Sequence, residues 1–176
     1  MRAVDLLRIV RAAPHVGSEG AVLREPYEMK LIASTDGASR GNPGPAAIGY
    51  IIRSEDGRFY LENGRAIGTA TNNVAEYTAC IEALEYMRGL GATEIELRAD
   101  SELLVRQLNG SYRVRNRHLI PLYQRVKTLL GSFDSWTVVH VPREWNREAD
   151  RQANLALDDK PGTGSAPGTG SAPGTG

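Results

Sequence analysis

Apolar residues in this chain fall into five short stretches that predict strands. Residues 29–36 form an extended apolar run, followed by the turn-rich stretch GASRGNPGP. Residues 47–54 and 58–67 have strand patterns, and the EDG between them predicts a hairpin. Residues 94–100 alternate between apolar and polar positions, and residues 136–141 are rich in β-branched side chains. Each stretch has the length of a typical strand.

Four other stretches carry apolar residues three and four positions apart, which predicts helices. They cover residues 72–90, 101–108, 117–130 and 146–157. The first ends near Gly91 and the second at Asn-Gly, both typical of helix ends. The predicted order is therefore βββαβααβα. This order indicates an α/β fold in which helices flank a five-stranded mixed sheet.

Both ends of the chain lack this alternation of strands and helices. Residues 161–176 repeat PGTGSA every six positions and contain too little apolar surface to pack, which predicts a flexible tail or linker. Residues 1–28 form a leader with a short helix predicted over 3–12, before glycine and proline interrupt the pattern. We therefore expect one domain over residues 29–160.

Length and composition narrow the class of protein. A chain of 176 residues fits one domain with appendages. Its apolar runs all fall short of the roughly 20 residues of a membrane span. One cysteine, Cys80, excludes a disulfide framework, and Asp5, Arg8 and Arg11 interrupt the start of the chain in a way unlike a secretory signal. These features predict a cytoplasmic protein without a membrane segment.

Charge is balanced overall, with 21 basic and 21 acidic residues, but it is unevenly distributed. Residues 103–133 contain six basic side chains and no acid, namely Arg106, Arg113, Arg115, Arg117, Arg125 and Lys127. One interpretation is a contact surface for a polyanion. The other is that two helices simply expose solvated arginines and a lysine.

Glu76 lies on the apolar face of the predicted helix 72–90, in what we take to be its first turn. A buried carboxylate there requires a cation, a proton or a place at the rim of the sheet. Alternatively, the glutamate only stabilises the start of the helix through the helix dipole.

Three aspartates occupy comparable places. Asp36 and Asp100 end the first and fourth predicted strands, and Asp150 lies on the apolar face of the last helix. Ligands of open α/β sheets bind outside the carboxyl ends of the strands. Each aspartate also has an ordinary interpretation: an Asx turn, a helix cap and a favourable first-turn acid, respectively.

The four carboxylates together favour a metal centre. Like charges brought close together raise one another's pKa unless cations neutralise them. A ligand set made only of oxygen atoms selects Mg²⁺ or Mn²⁺. Two such ions about 3.5–4 Å apart serve phosphodiester hydrolysis, which would give the basic stretch a nucleic acid to bind.

Four motifs occur in order along residues 29–157: TDGASRGNPGPAAIGY, TNNVAEYTACIEAL, ADSELLVRQLNG and VPREWNREADRQAN. In their order and spacing the chain resembles the ribonuclease HI family, in particular members with a short or absent basic handle. The resemblance implies the RNase H-like fold and an endonuclease that cuts the RNA strand of RNA/DNA hybrids, leaving 3′-hydroxyl and 5′-phosphate ends. It implies two Mg²⁺ ions, replaceable by Mn²⁺, bound by Asp36, Glu76, Asp100 and Asp150.

The resemblance also implies roles for single residues. Asp36 would bridge both ions, Asp150 would hold the ion that activates water, and Glu76 and Asp100 the ion beside the leaving group. Five further residues match positions that contact the hybrid: Gly37, Asn42, Thr71, Asn72 and Asn73. Small and amide side chains suit the wide, shallow groove of such a duplex.

The chain departs from the family pattern in three places. Only residues 110–116 stand where many members have a long basic handle, so Arg113 and Arg115 are the candidates for a reduced basic patch. Glu102 replaces a common glutamine. The loop before the last helix lacks the usual histidine, which leaves Arg143 or Glu144 for its role.

Three aromatic or imidazole side chains near these motifs have structural interpretations. We expect Trp136 to pack in the strand core and Trp145 to pack at the entry to the last helix. His140 precedes the loop and is expected to belong to the strand.

Three functions compete. The first is an active hybrid nuclease that is monomeric and needs no protein partner. The second is an RNase H-like module that binds nucleic acid or protein without cutting, and the third is a related nuclease for DNA or structured RNA. The four acids favour an enzyme, because a pure binder gains nothing by placing negative charge against phosphate. Asn72 and Asn73 beside Glu76 favour the hybrid.

Overall fold

The computed structural model describes residues 28–159, so the predictions for most of the leader and for the tail lie outside the described residues. The strands are β1 (Lys30–Ser39), β2 (Gly44–Ser54), β3 (Phe59–Ala70), β4 (Glu94–Ala99) and β5 (Ser135–His140). The helices are α1 (Asn72–Gly89), α2 (Glu102–Leu108), α3 (Ile120–Leu130) and α4 (Arg147–Asp158), and a 3₁₀ turn (Arg143–Trp145) precedes α4. The predicted order βββαβααβα is confirmed.

The sheet is mixed and has the strand order β3-β2-β1-β4-β5. The strands β1, β2 and β3 pair antiparallel, whereas β4 pairs parallel with both β1 and β5. The main core lies between the sheet and α1, and its buried members include Leu31, Ile48, Ile52, Leu84 and Met87. None of the helices within residues 28–159 is long and apolar enough to cross a membrane.

Two glycines each allow one helix to approach the sheet closely, and the two helices lie on opposite faces. A Cβ on Gly37 would lie 2.2 Å from the backbone nitrogen of Glu76 in α1. A Cβ on Gly49 would lie 2.2 Å from the backbone oxygen of Ala149 in α4. Gly49 pairs with Asp36, the neighbour of Gly37, so the two glycines face opposite sides of the sheet. Each contact therefore positions one helix that carries a candidate carboxylate.

The prediction that β1 ends at Asp36 is wrong. The strand continues to Ser39, because residues beyond Asp36 still pair with β2, from Gly37 with Ile48 to Ser39 with Ala46. Pairing with β4 stops earlier, at Thr35 with Ala99. Asp36 is thus the first residue of β1 beyond the end of β4, and its backbone remains in the ladder on the other side.

The third helix is shorter than predicted, since α3 begins at Ile120 rather than at residue 117. Pro121 lies in the first turn of α3, where its missing N–H is no loss. The connection between α2 and α3 therefore runs from Asn109 to Leu119, and it carries Arg113 and Arg115 on exposed, irregular backbone.

Candidate active site

Three of the predicted carboxylates converge at one edge of the sheet. Asp36 lies in β1, Glu76 in α1 and Asp100 directly after β4. Each offers an oxygen atom, and the three oxygens lie within 4.8 Å of one another. Thr35 in β1 pairs with Ala99 in β4, so the residues that follow them, Asp36 and Asp100, lie at the same level of the sheet. Asp36 and Glu76 are only 6% and 5% exposed.

Glu76 lies deeper in its helix than the sequence indicated. Thr71 caps α1, its hydroxyl accepting from the backbone nitrogen of Val74 at 3.3 Å, so Glu76 is the fifth helical residue and not part of the first turn. Its Oε2 atom is buried and has no hydrogen-bond partner among the described residues. An unpaired buried oxygen costs about 1–3 kcal/mol, so the site favours a bound cation or a proton at this atom.

The carboxylates also repel one another. Burial raises the pKa of Asp36 to about 7, and the negative charges of Asp100 and Asp150 contribute to that rise. Burial likewise raises the pKa of Glu76 well above its ordinary value, and Asp36 and Asp100 add to it. The raised pKa values of Asp36 and Glu76 therefore favour a bound cation or a proton at these two carboxylates. Its all-oxygen composition suits a divalent metal.

Asp150 lies at the rim of the same site. It belongs to the first turn of α4 and lines a cleft of about 500 Å³ together with the three clustered carboxylates. Its Oδ1 accepts a hydrogen bond from the Arg143 guanidinium at 3.2 Å. Arg143 lines the cleft as well, so it is the better placed of the two loop candidates.

The predicted hybrid-contacting residues gather at the start of α1. Asn42 accepts from the backbone nitrogen of Asn72 at 3.3 Å, and Asn72 and Asn73 are exposed. Thr71 is the N-cap of the same helix. Gly37 also lines the cleft, but the approach of α1 already requires a glycine there.

The basic side chains of the acid-free stretch from 103 to 133 are of two kinds, those with a partner and those without one among the described residues. Arg106 pairs with Glu102 and Arg125 with Glu85, both at 2.6 Å. Lys127 lies 4.5 Å from the centre of the Trp136 ring. Arg113, Arg115 and Arg117 are exposed and form no ion pair within the described part of the chain. These three arginines are the ones available to a polyanion.

The prediction for Trp145 is wrong, since 76% of the residue is exposed in the turn before α4. Ala149 and Asn146 are buried where α4 begins, which leaves the indole in solvent. Trp136 is partly buried against the core, as expected. His140 ends β5, as expected, and its Nε2 lies 3.3 Å from the carbonyl oxygen of Asp100.

Asn146 was not among the residues predicted for the site. This residue is almost fully buried, and its Nδ2 donates to the carbonyl oxygen of Thr35 at 2.9 Å. A single asparagine before a helix is usually interpreted as a cap, although here its side chain makes no capping bond. The signal available was its place four residues before Asp150.

The chain is similar to a family model, to a curated relative and to a solved structure. A family model described as reverse transcriptase-like matches residues 34–156. The ribonuclease HI of Halobacterium salinarum is 48% identical over 139 residues, which cover 79% of this chain and 70% of that protein. The crystal structure of RNase H1 from this archaeon has a TM-score of 0.73, with 49% identity, covering 74% of this chain and 99% of the other.

Two further relatives extend the comparison. The bifunctional protein Rv2228c of Mycobacterium tuberculosis is 44% identical over 74% of this chain, but the chain covers only 36% of that protein's length. LC11-RNase H1, isolated from compost, was solved in complex with an RNA/DNA hybrid. That structure has a TM-score of 0.69 and 42% identity over 73% of this chain and 96% of its own.

Proposed function

The chain belongs to the ribonuclease HI family, and on that premise we propose that it is an endoribonuclease that hydrolyses the RNA strand of RNA/DNA hybrids. The products would be 3′-hydroxyl and 5′-phosphate ends. The observation that carries the proposal is the cluster of Asp36, Glu76 and Asp100, whose oxygens lie within 4.8 Å of one another at the edge of the sheet. In a protein that only bound nucleic acid, such a cluster would weaken the binding, because the acids repel phosphate.

The cofactor of the proposal is a pair of Mg²⁺ ions, with Mn²⁺ as a substitute. Asp36, Glu76 and Asp100 would hold them, with Asp150 at the rim, and the unpaired Oε2 of Glu76 fits this role. Such ions, when bound, polarise the scissile phosphate and lower the pKa of the attacking water. Arg143 orients the Asp150 carboxylate through their hydrogen bond and faces the cleft with a positive charge.

Substrate contacts come from two surfaces. The amides at the start of α1, Asn72 and Asn73, lie beside Glu76 and suit 2′-hydroxyls and base edges of the minor groove. Asn42 accepts a hydrogen bond from the backbone nitrogen of Asn72, and Thr71 accepts one from the backbone nitrogen of Val74. Both bonds hold the start of α1 in place. The exposed arginines of the α2–α3 connection, Arg113 and Arg115, supply sequence-independent attraction to phosphates.

The experiment that tests this function compares labelled RNA/DNA hybrid, duplex RNA and duplex DNA, each with and without Mg²⁺. We expect Mg²⁺-dependent cutting of the RNA strand of the hybrid alone. Hybrid that is bound but stays intact in Mg²⁺ and in Mn²⁺ would support the non-cutting module instead. Faster cutting of duplex RNA or DNA would support the related nuclease.

We also propose that the protein acts in the cytoplasm as a monomer. The support for the location is the single cysteine, Cys80, which is buried and free. Cell fractionation with an antibody against the intact protein tests the location. Light scattering of the purified protein tests the oligomeric state.

A further inference from the structure

We propose that Asn146 is a positioning residue that fixes Asp150 relative to Asp36. This inference rests on the proposed function, since it assigns a role within that active site. Asn146 directly precedes α4 and is 1% exposed. Its Nδ2 donates to the carbonyl oxygen of Thr35, the residue before Asp36, at 2.9 Å.

A second hydrogen bond continues from Asn146 to Asp150. The backbone nitrogen of Asp150 donates to the carbonyl oxygen of Asn146 at 3.1 Å. One residue therefore connects the strand that carries Asp36 to the helical turn that carries Asp150. The contact of α4 with Gly49 fixes how closely the helix approaches the sheet, and Asn146 fixes where its first turn begins along β1.

The unpaired oxygen of the same amide indicates that the side chain serves to position the start of α4 and not to stabilise the fold. The Oδ1 of Asn146 is buried and has no hydrogen-bond partner among residues 28–159. Such an atom lowers the stability of the fold, and an apolar side chain would avoid that cost. Local violations of this kind are expected at functional sites, where a required arrangement outweighs stability.

Asn109 offers a matched control within the same chain. Its Nδ2 also donates to a strand carbonyl, that of Val138 in β5, at 3.0 Å. It follows α2, is exposed and does not line the carboxylate cleft. Its removal deletes the same kind of bond without touching β1 or α4.

The first test compares Asn146→Ala with Asn109→Ala. The readouts are the single-turnover rate of hybrid cleavage, the Kd for hybrid, and the rise in melting temperature caused by Mn²⁺ alone. We expect Asn146→Ala to slow cleavage about ten- to a hundredfold, as a displacement of about 1 Å does, with Kd nearly unchanged. The Mn²⁺-induced rise should shrink in Asn146→Ala and persist in Asn109→Ala. A folded Asn146→Ala with wild-type rate and wild-type Mn²⁺ response overturns the proposal.

The second test is a double-mutant cycle with Asp150→Ala. If Asn146 acts through Asp150, adding Asn146→Ala to Asp150→Ala changes the single-turnover rate and the Mn²⁺ response by less than about twofold, because coupled residues are not additive. A full further loss in that background would show that Asn146 acts elsewhere, and the proposal would be wrong.

Folding of the variants is checked by circular dichroism, with Asn146→Asp as a second variant of nearly the same shape. If both substitutions unfold the protein while Asn109→Ala does not, Asn146 determines the fold and is not a positioning residue. A wild-type protein that leaves hybrid intact refutes the proposed nuclease function alone, because the Mn²⁺ measurements still test Asn146.

Discussion

Acidic side chains gather at both ends of β1, yet the two clefts differ in burial and in the charges around them. At one end lie the clustered carboxylates of the candidate active site. The opposite cleft, of about 670 Å³, is lined by four acidic residues, Glu28, Glu55, Asp56 and Glu94. There Lys30 lies 3.0 Å from Glu55 and 3.3 Å from Glu94, and Arg58 lies 3.3 Å from Asp56.

The difference shows that acidity alone does not make a metal centre. In the opposite cleft two cations, Lys30 and Arg58, pair with three of the four acidic side chains. Hydrogen bonds to Glu55 and Glu94 raise the pKa of Lys30. In the active-site cleft, burial raises the pKa of Asp36 and Glu76, and Arg143 pairs only with the rim carboxylate Asp150. The larger cleft therefore offsets part of its negative charge with its own cations, whereas the smaller one favours an added cation.

The comparison is tested most strongly by removing one charge from each cleft. We expect Asp36→Asn to keep the fold and hybrid binding but to lose nearly all cleavage. The loss should be roughly a thousandfold or more, because the metal's charge stabilisation is worth several kcal/mol. The matched control, Glu94→Gln, should cleave at the wild-type rate. Single-turnover assays measure both, and wild-type-like turnover by Asp36→Asn would end the metal-centre assignment.

The second prediction tests whether the close approach of α1 to the sheet is required to form the buried carboxylate site. Gly37→Ala places a Cβ against the backbone of α1, so we expect it to destabilise the protein by about 3 kcal/mol or more and to slow cleavage. Gly89→Ala in α1 meets nothing within 4 Å and should stabilise the helix by about 0.5–1 kcal/mol. Urea unfolding measures both. If Gly37→Ala were as stable and as active as the wild type, close packing of α1 would not position Glu76.

The order of the elements could be predicted from the sequence because apolar stretches of strand or helix length are separated by turn residues such as glycine, asparagine and proline. The prediction for the end of β1 is wrong because Gly37 opens the stretch GASRGNPGP, which looks like a turn. Only pairing with β2 keeps residues 37–39 extended. Asp36, Glu76 and Asp100 were identified by position, and the structure brings these three together. Asn146 could not be identified in this way, because its partner Thr35 is 111 residues away.

The third prediction uses the pH dependence of stability. Burial raises the pKa of Asp36 to about 7 in the folded protein, so the folded state binds more protons than the unfolded state between about pH 4 and pH 7. The contribution of Asp36 to stability is thus fully present below pH 4 and is lost as the pH rises through 7. In metal-free protein this loss should be roughly 2 kcal/mol between pH 5 and pH 7.

Urea unfolding of wild type and Asp36→Asn at several pH values isolates this effect as the difference between them. We expect Mg²⁺ to restore stability to the wild type at pH 7 and above, and to restore less to Asp36→Asn. A difference between wild type and Asp36→Asn that is constant with pH would contradict the raised pKa.

The fourth prediction concerns the exposed arginines, for which residues 28–159 provide no acidic partner comparable to those of Lys30 and Arg58. Arg113→Ala with Arg115→Ala should weaken hybrid binding and reduce the slope of log K against log salt. The reduction should be about 0.9 for each phosphate that the protein no longer neutralises, on the B-DNA scale. Arg58→Ala at the opposite cleft is the control and should change neither value. If the double variant keeps both affinity and slope, the arginines only form a solvated surface.

The smallest effect is expected from the ends of the chain. Removing residues 161–176 should change neither melting temperature nor specific activity, because that segment has too few large apolar side chains to offset the entropy of ordering. Removing residues 1–28 as well deletes Glu28, which lines the opposite cleft and not the active-site cleft. A protein of residues 29–160 should therefore cleave hybrid at a rate comparable to the full chain, even where its melting temperature is lower. A folded 29–160 protein that fails to cleave would show that the leader contributes to the active site and that the two clefts are not independent.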